Sequence, residues 1–245
     1  MIDLSLKPIH KSWLPFVETA LDAMDPDYQF MLASPESPAW LPGPDQIFNA
    51  FSLPLDKTKF ILLGESPYPR AASANGYAFI DNQVEQLWSD KGLSKTVNRA
   101  TSLRNLIKML LLTDGYLSED NLTQAAIASL DKQAFIDTGS DLRDRFHDAG
   151  ILLLNATLVF SGKSRVRFDA KHWEPFVESL LKQLAEAGHS HIHLILLGAI
   201  AKAFDKFPSA SQFPRFTAEH PYNLSFITNP EVQSFFRQFK LLTRA

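Results

Sequence analysis

The stretch FILLGESPYP, residues 60–69, contains the pattern that decides the fold. Residues 60–63 are all apolar, and they end at a glycine followed by polar residues and prolines. A nearly continuous apolar run of this length is typical of a strand with both faces covered by helices. The polar residues after it are expected at the carboxyl end of that strand, where open α/β sheets bind their ligands.

Three further runs show the same change from apolar to small or polar residues. They are residues 151–154 before Asn155, residues 193–197 before Gly198, and a weaker run at 216–218 before Glu219 and His220. Because the carboxyl ends of parallel strands share one edge of a sheet, Glu65, Tyr68, Asn155 and His220 are expected to converge. Ordinary strand-to-loop punctuation is the alternative interpretation.

Apolar residues recur at helical spacing in four segments around these runs. The segments are 13–24, 103–110 behind Ser102 as a candidate N-cap, 173–184 ahead of Gly188, and 232–239. Their apolar stripes are interpreted as core. Alternation of strands and helices predicts a three-layer α/β fold, with a central, mostly parallel four-stranded sheet flanked by helices.

The organisation of the chain predicts a single domain over residues 1–245, since we find no internal repeat, low-complexity tract or clear linker. Residues 1–40 are expected to form a helical extension packed on that domain. Prolines between residues 35 and 44 indicate a surface loop that joins the extension to the main body.

The composition, 45% hydrophobic and 21% charged, is that of a folded globular protein. Cys is absent, which excludes disulfides, a thiol nucleophile and an iron–sulfur cluster. No metal signature or phosphate-binding glycine loop occurs, so no metal or cofactor is expected. The N-terminus does not resemble a signal peptide and no run is long enough to span a bilayer, so we expect a cytoplasmic protein without membrane contact.

The net charge of −3 is unlike that of a dedicated nucleic-acid binder, although local patches matter more than the sum. One such patch is the stretch 161–167, which contains Lys163 and Arg165 and is expected to form a basic loop. It is a candidate for phosphate contact, with a merely solvated loop as the alternative.

Two polar side chains have chemistry that suits a nucleobase. Asn155 offers a carbonyl acceptor beside an amide donor, which matches the edge of a pyrimidine. His220 precedes Pro221 at a loop entrance, and a neutral imidazole can donate a hydrogen bond to a developing oxyanion. A turn residue and a surface histidine are the respective alternatives.

Two aromatic residues flank the small-residue loop 71–76. Phe79 is a candidate for stacking on a base, and Tyr68 for forming a wall of the pocket. Core packing is the competing interpretation for Phe79, since the chain has 19 Phe.

The stretch 60–79, FILLGESPYPRAASANGYAF, resembles the first motif of family 1 uracil-DNA glycosylases. That motif is Gly-Gln-Asp-Pro-Tyr-His and leads to Gly-x-x-Phe through a small-residue loop. Segments 47–51, 101–105, 150–157, 173–176 and 220–225 resemble later family segments in the same order. The resemblance covers about residues 40 to 240. It implies the glycosylase fold and a monomeric, cofactor-free repair enzyme that flips uracil out of single- or double-stranded DNA.

The resemblance also implies roles for single residues. Asn155 would bind the uracil edge, Phe79 would stack on the ring, and Tyr68 would exclude the thymine methyl group. His220 would stabilise negative charge on uracil O2, and Leu224 would enter the duplex where the nucleotide leaves. The resemblance also implies phosphate contacts for Ser102 and the Gly198 turn. Ser225, and Lys163 and Arg165 of the basic stretch, are the other candidates for DNA contact.

The chain departs from the family pattern at the catalytic centre. Ser66 stands where family 1 has the Asp that positions water, and Pro69 replaces the motif's His. A neutral serine stabilises an oxocarbenium ion far less than a carboxylate, a difference of several powers of ten in rate. Compensation is expected from Glu65, or from a water held by Ser66. Ala199, Tyr222 and Asn223 also differ from the family residues.

Four hypotheses follow from these residues. The first is an active glycosylase that removes uracil from DNA. The second is a catalytically weak or inactive binder of uracil-containing or damaged DNA, because of Ser66. The third is a glycosylase for another base, such as a deaminated purine, and the fourth is a small-molecule hydrolase on the same scaffold.

Overall fold

A computed structural model describes Ile2, residues 8–34, Glu36 and residues 39–244. These residues group into two compact units that are interlaced along the sequence. Unit 1 lies within Met1–Asp81, Gly150–Leu196 and Ile200–Phe216, and unit 2 within Asn82–Ala149, Leu197–Ala199 and Thr217–Ala245. The single domain over 1–245 stays a prediction. Pro35 and Pro38 of the predicted surface loop, and most of residues 1–7, fall outside the described residues.

Helices separate the predicted strands along the chain, and several elements occur that the sequence analysis did not predict. In chain order they are α1 (Leu14–Asp22), α2 (Pro26–Ala33), β1 (Phe60–Gly64), β2 (Trp88–Ser89), β3 (Gly92–Leu93), α3 (Lys95–Arg99), α4 (Thr101–Thr113), α5 (Gln124–Ala128), α6 (Gly139–Asp148), β4 (Ile151–Asn155), α7 (Val166–Glu186), β5 (His193–Leu197), α8 (Ala199–Phe204), β6 (Arg215–Ala218), α9 (Ser225–Thr228) and α10 (Pro230–Phe236). Short 3-10 turns occur at 49–52, 55–57, 132–134, 163–165, 208–212 and 237–239.

The central sheet is parallel, with the strand order β4-β1-β5-β6. All four predicted strands are therefore confirmed. In the pairing of β1 with β4, Phe60 lies opposite Ile151 and Gly64 lies opposite Asn155. This register brings the carboxyl ends of the two strands to the same level. A separate two-stranded ribbon is formed by β2 and β3.

Both faces of the central strands are buried. Alternate residues of β1, β4 and β5 join one hydrophobic cluster with apolar residues of α1 and α7: Ile61, Leu63, Leu152, Leu154, Leu194 and Leu196. The intervening Leu62, Leu153 and Ile195 point away from that cluster and are also buried. Burial on both faces is what a three-layer α/β fold requires, so this prediction is confirmed.

The predicted helices correspond to α1, α4, α7 and α10. The capping role of Ser102 was wrong, because Ser102 lies inside the first turn of α4. The N-cap is Ala100, whose side chain makes no capping bond. The reason is that α3 ends directly at Ala100, whose backbone N–H donates to Thr96 O, so the chain enters α4 from another helix. None of the helices in the described part of the chain is long and apolar enough to cross a membrane.

Candidate active site

The carboxyl ends of β1 and β4 are joined beyond the sheet by their loops. Ala156 N donates to Gly64 O at 2.8 Å, and Thr157 N donates to Glu65 O at 3.0 Å. The polar residues predicted after the two strands therefore lie side by side in unit 1. In this arrangement the Glu65 side chain is exposed and Ser66 is half-buried.

Asn155 is a buried polar residue at this edge. It is 4% exposed, and its side-chain amide makes no hydrogen bond to any described residue. Gly64 makes room for it, because a Cβ at Gly64 would lie 2.5 Å from Asn155 Oδ1 and 2.9 Å from Ala78 Cβ. The donor and the acceptor of this amide are therefore available to a ligand.

The loop after β1 holds Phe79 in an unusual conformation. Phe79 has a φ of +64°, a left-handed geometry that costs a bulky residue about 1–3 kcal/mol. Ala78 N donates to Leu153 O of β4 at 3.1 Å, and the Tyr68 hydroxyl reaches Phe79 O at 3.5 Å. Strain of this kind persists only where the surroundings hold it. The ring is half-buried, so it is not sealed in the core.

The same loop is also stabilised by an ion pair between Arg70 and Asp81. Arg70 Nη2 lies 3.3 Å from Asp81 Oδ2, and the Asp81 side chain is only 4% exposed. Burial, and then the Asp81 carboxylate, raise the pKa of Tyr68 to about 12, against an opposing effect of Arg70. Tyr68 therefore keeps its hydroxyl proton at neutral pH. The sequence analysis missed Asp81, which no motif distinguishes from a surface carboxylate.

In unit 2, His220 follows β6, and its tautomer is set by the next turn. The backbone N–H of Tyr222 donates to His220 Nδ1 at 3.1 Å. Because Nδ1 accepts, the neutral imidazole carries its proton on Nε2 and can donate from there.

Gly198 lies directly against His220. It has a φ of +76°, and a Cβ there would lie 2.6 Å from His220 Cβ. In this structure Gly198 therefore makes space for the imidazole. Its predicted contact with a phosphate stays a prediction.

The segment after His220 is held by a buried amide that the sequence analysis missed. Asn105 of α4 is fully buried, and its Nδ2 donates to Pro221 O at 2.8 Å and to Tyr222 O at 3.3 Å. The available signal was a polar residue within the apolar stripe of Leu103 and Ile107. Such a residue must find hydrogen-bond partners, and here they are loop carbonyls.

The same segment presents exposed side chains. Leu224 is 71% exposed, and Ser225 begins α9. The Ser225 hydroxyl donates to the Glu219 carboxylate, which also accepts from Asn229 Nδ2 at 3.4 Å. The hydroxyl predicted to meet a phosphate is thus engaged with a carboxylate in this structure.

The basic stretch 161–167 is not a simple loop. A 3-10 turn at Lys163–Arg165 leads directly into α7, so the loop prediction was wrong over this part. Val166, the residue after the 3-10 turn, already has helical backbone angles, so no loop separates the turn from α7. Lys163 is exposed, whereas Arg165 is half-buried with its guanidinium 4.7 Å from the Phe168 ring centre.

The structure thus distributes the predicted residues between two units. Unit 1 contains Glu65, Ser66, Tyr68, Phe79, Asn155, Lys163 and Arg165. Unit 2 contains Ser102, Gly198, His220, Leu224 and Ser225. The expected approach of His220 to Asn155 stays a prediction. Among the described residues, no group of three or more His, Asp or Glu side chains is placed to hold a metal ion.

Comparison with known proteins gives relatives over most of the chain, although no family model matches. A uracil-DNA glycosylase of Corynebacterium glutamicum is 30% identical over 226 residues, which cover 89% of this chain and 82% of the relative. A uracil-DNA glycosylase of Leuconostoc citreum is 25% identical over 219 residues, which cover 88% of this chain and 84% of the relative.

Solved structures agree with these relatives. The crystal structure of wild-type UNG from Nitratifractor salsuginis is 39% identical and has a TM-score of 0.92, covering 97% of this chain and 94% of that one. The extent and identity of these matches lead to one conclusion. The chain belongs to the uracil-DNA glycosylase family.

Proposed function

We propose that this protein is a DNA repair enzyme that rotates uracil out of DNA and hydrolyses its N-glycosidic bond. The observation that carries the proposal is Asn155, a polar residue only 4% exposed at the carboxyl end of β4, whose amide makes no hydrogen bond to a described residue. Uracil presents an acceptor at O4 beside the N3–H donor, which complements an amide donor and acceptor. A base must leave the stack before such an edge can be read inside a pocket.

Phe79 and Tyr68 complete the proposed base pocket. The loop that carries them is bonded to β4 through Ala78, next to Asn155. Phe79 would stack on the uracil ring, and Tyr68 would crowd the position of the thymine methyl group. A wall that is fixed before binding discriminates sterically, because a methyl group cannot be accommodated without moving packed side chains.

His220 is proposed to stabilise the leaving group. When the bond between C1′ and N1 breaks, its electron pair stays on the base, and negative charge develops on uracil O2. The Nε2–H donor fixed by the Tyr222 N–H bond suits this charge, since a neutral donor needs no proton transfer. Removal of one such donor typically lowers kcat by about 10²–10³.

The attack of water on C1′ is the step in which this chain departs from family 1. We assign the chain to that branch on the order of its motifs, with Ser66 in the position of the Asp. Glu65 is the nearest carboxylate in sequence and its side chain is exposed. In one alternative the Glu65 carboxylate would orient the attacking water and receive its proton. In the other the Ser66 hydroxyl would hold the attacking water, and the proton released on attack would go to the departing uracil anion.

DNA contacts are proposed for residues on both units. Leu224 would enter the duplex, since a large exposed apolar side chain can fill the space left by a rotated nucleotide. The proposed phosphate contacts are Ser102, Gly198, Ser225, Lys163 and Arg165. A monomeric enzyme that works in the cytoplasm, on either single- or double-stranded DNA, stays part of this proposal.

The test is excision from a single-stranded oligonucleotide that contains one uracil, with abasic sites detected by alkaline cleavage. The same oligonucleotide with thymine is the control substrate. The wild type is expected to cleave only the uracil strand. An intact fold with no cleavage at high enzyme concentration, beside an active control glycosylase, would contradict the proposal.

Two matched variants locate the water-orienting group. If Glu65 performs this role, Glu65→Gln lowers kcat and Ser66→Ala leaves it nearly unchanged. If Ser66 holds the water, the order reverses. In either case Ser66→Asp, which restores the family carboxylate, is expected to raise kcat.

A further inference from the structure

A basic and aromatic surface at the start of α7 is not needed for the chemistry proposed above. We call it the α7 platform and define it by Lys163, Arg165, Arg167, Phe168 and Lys171. All lie in unit 1, within nine consecutive positions that follow the loop beyond Asn155. Phe168 is 42% exposed, and Lys163, Arg167 and Lys171 are exposed cations.

The outward charge of the platform is positive because its only carboxylate in sequence is turned inward. Asp169 is fully buried. It accepts hydrogen bonds from the Tyr28 hydroxyl at 3.0 Å and from Ser161 N at 2.9 Å. At the margin, Asp25 lies 3.9 Å from His172 Nε2. The platform is therefore a local positive region on a chain whose total charge is −3.

The aromatic part of the platform, Phe168, packs against His172, which in turn stacks on Tyr28. The ring of Phe168 lies 4.2 Å from that of His172, and the ring of His172 stacks on that of Tyr28 at 4.5 Å and 17°. His172 Nδ1 is 2.8 Å from Phe168 O, which ties the same side chain to the helix. Because these contacts already order Phe168, a ligand that stacks on it would cause little further loss of side-chain entropy.

Arg165 adds a planar cation to this surface. Its guanidinium lies 4.7 Å from the Phe168 ring centre, and Nη2 lies 3.0 Å from Met31 Sδ. A guanidinium held on an aromatic ring can extend the stacking surface and can bond phosphate oxygens. The platform thus combines an ordered aromatic face with cations around it.

We propose that the α7 platform binds single-stranded DNA beside the uracil, with its phosphates near the cations and an unpaired base on Phe168 and Arg165. Ordered aromatic rings within a basic surface are the usual means of holding single strands. In a duplex the base faces are covered by their neighbours, so stacking on Phe168 selects unpaired DNA. The proposal rests on the glycosylase function only in taking DNA as the substrate.

The test measures the affinity of the full chain for a fluorescent oligothymidine without uracil, and for a duplex of equal length, by anisotropy at two salt concentrations. Phe168→Ala is expected to weaken binding of the single strand about tenfold or more and of the duplex much less. Arg167→Glu is expected to weaken both and to reduce the salt dependence. In excision from single-stranded uracil DNA, both variants should raise KM with little change in kcat.

Two control variants match these changes elsewhere in unit 1. Phe30→Ala removes a phenylalanine that is 71% exposed on α2, and Lys182→Glu reverses an exposed cation farther along α7. Both are expected to bind oligothymidine as the wild type does.

The outcomes separate this proposal from the proposed function. Unchanged single-strand affinity in Phe168→Ala and Arg167→Glu overturns the platform, even when the wild type excises uracil. Equal weakening of duplex and single strand by Phe168→Ala overturns the preference for single strands. If Phe168→Ala and Arg167→Glu lose single-strand binding while the wild type binds the strand but never excises uracil, the result supports the platform and contradicts the glycosylase function.

Discussion

The loop that follows β1 and the segment that follows β6 are built in contrasting ways. The first, residues 64–81, is tied to β4 by backbone bonds and closed by the pair of Arg70 with the buried Asp81. The second, residues 219–225, is held from beneath by Asn105 while Leu224 remains exposed. The loop after β1 is held along its length by contacts within unit 1, whereas the segment after β6 leaves side chains such as Leu224 exposed.

The two loops differ in which part of each is held in place. The proposed pocket would have to distinguish uracil from thymine by one methyl group without adapting to its ligand, and the strained, fixed backbone of Phe79 suits that requirement. The role proposed for Leu224 requires instead an accessible side chain on a backbone of fixed position.

Asn155→Leu is expected to lower kcat/KM for uracil DNA by about 10³-fold or more, since the variant cannot bond the uracil edge. The free energy of unfolding should change by less than about 1 kcal/mol, because the amide makes no hydrogen bond to a described residue and Leu is of similar size. Excision assays and denaturant unfolding measure the two effects. Loss of stability together with full activity would show that the amide serves the fold instead.

Asn105→Leu is expected to destabilise the protein by about 1–3 kcal/mol by leaving loop carbonyls without their donor. It should also lower kcat/KM about tenfold or more, as the segment with His220 and Leu224 loses its position. Asn98→Leu is the matched control, since Asn98 Nδ2 donates to Leu93 O and not to this segment. An equal fall in kcat/KM in both variants would remove the positioning role of Asn105.

Leu224→Ala is expected to change the free energy of unfolding by less than about 0.5 kcal/mol, since the side chain is exposed. Excision from duplex DNA should fall several-fold, whereas excision from a single strand should be unaffected because no stack is broken there. Parallel assays on the two substrates measure the difference. A uniform loss on both would contradict the role in base flipping.

Tyr68→Phe tests the burial of the Tyr68 hydroxyl in the loop after β1, through the pH dependence of the free energy of unfolding. The folded pKa of Tyr68, about 12, lies above the ordinary value of 10. The folded state therefore holds this proton between pH 10 and 12 while the unfolded state releases it, and stability falls as pH rises through that window. Tyr68→Phe lacks this contribution, so its unfolding free energy should fall less steeply from pH 9 to pH 11. Identical slopes would contradict the assignment.

The sequence predicted the sheet well because strand runs such as residues 151–154 are apolar on both faces, a pattern with few alternatives. It misplaced the cap of α4 because Ser102 has the right chemistry, whereas the direct junction with α3 depends on tertiary packing. The start of α7 was likewise taken for a loop from its small and basic residues.

The positions of the candidate residues after their strands were predictable, whereas the residues that support them were not. Asn155 ends β4 and His220 follows β6, as the apolar runs predicted, and their roles stay a prediction. Asp81, Asn105 and Glu219 act through contacts that are distant along the chain or that depend on a turn, so no local pattern distinguishes them. Such supporting residues are visible only once the fold brings them to their partners.

The most direct test of the central claim is a crystal structure of the protein soaked with free uracil. We expect the Asn155 amide to bond the O4 and N3–H edge at about 3 Å, with the base against the Phe79 ring. Uracil bound away from Asn155, or an Asn155 amide that turns to bond protein groups in the occupied pocket, would contradict it.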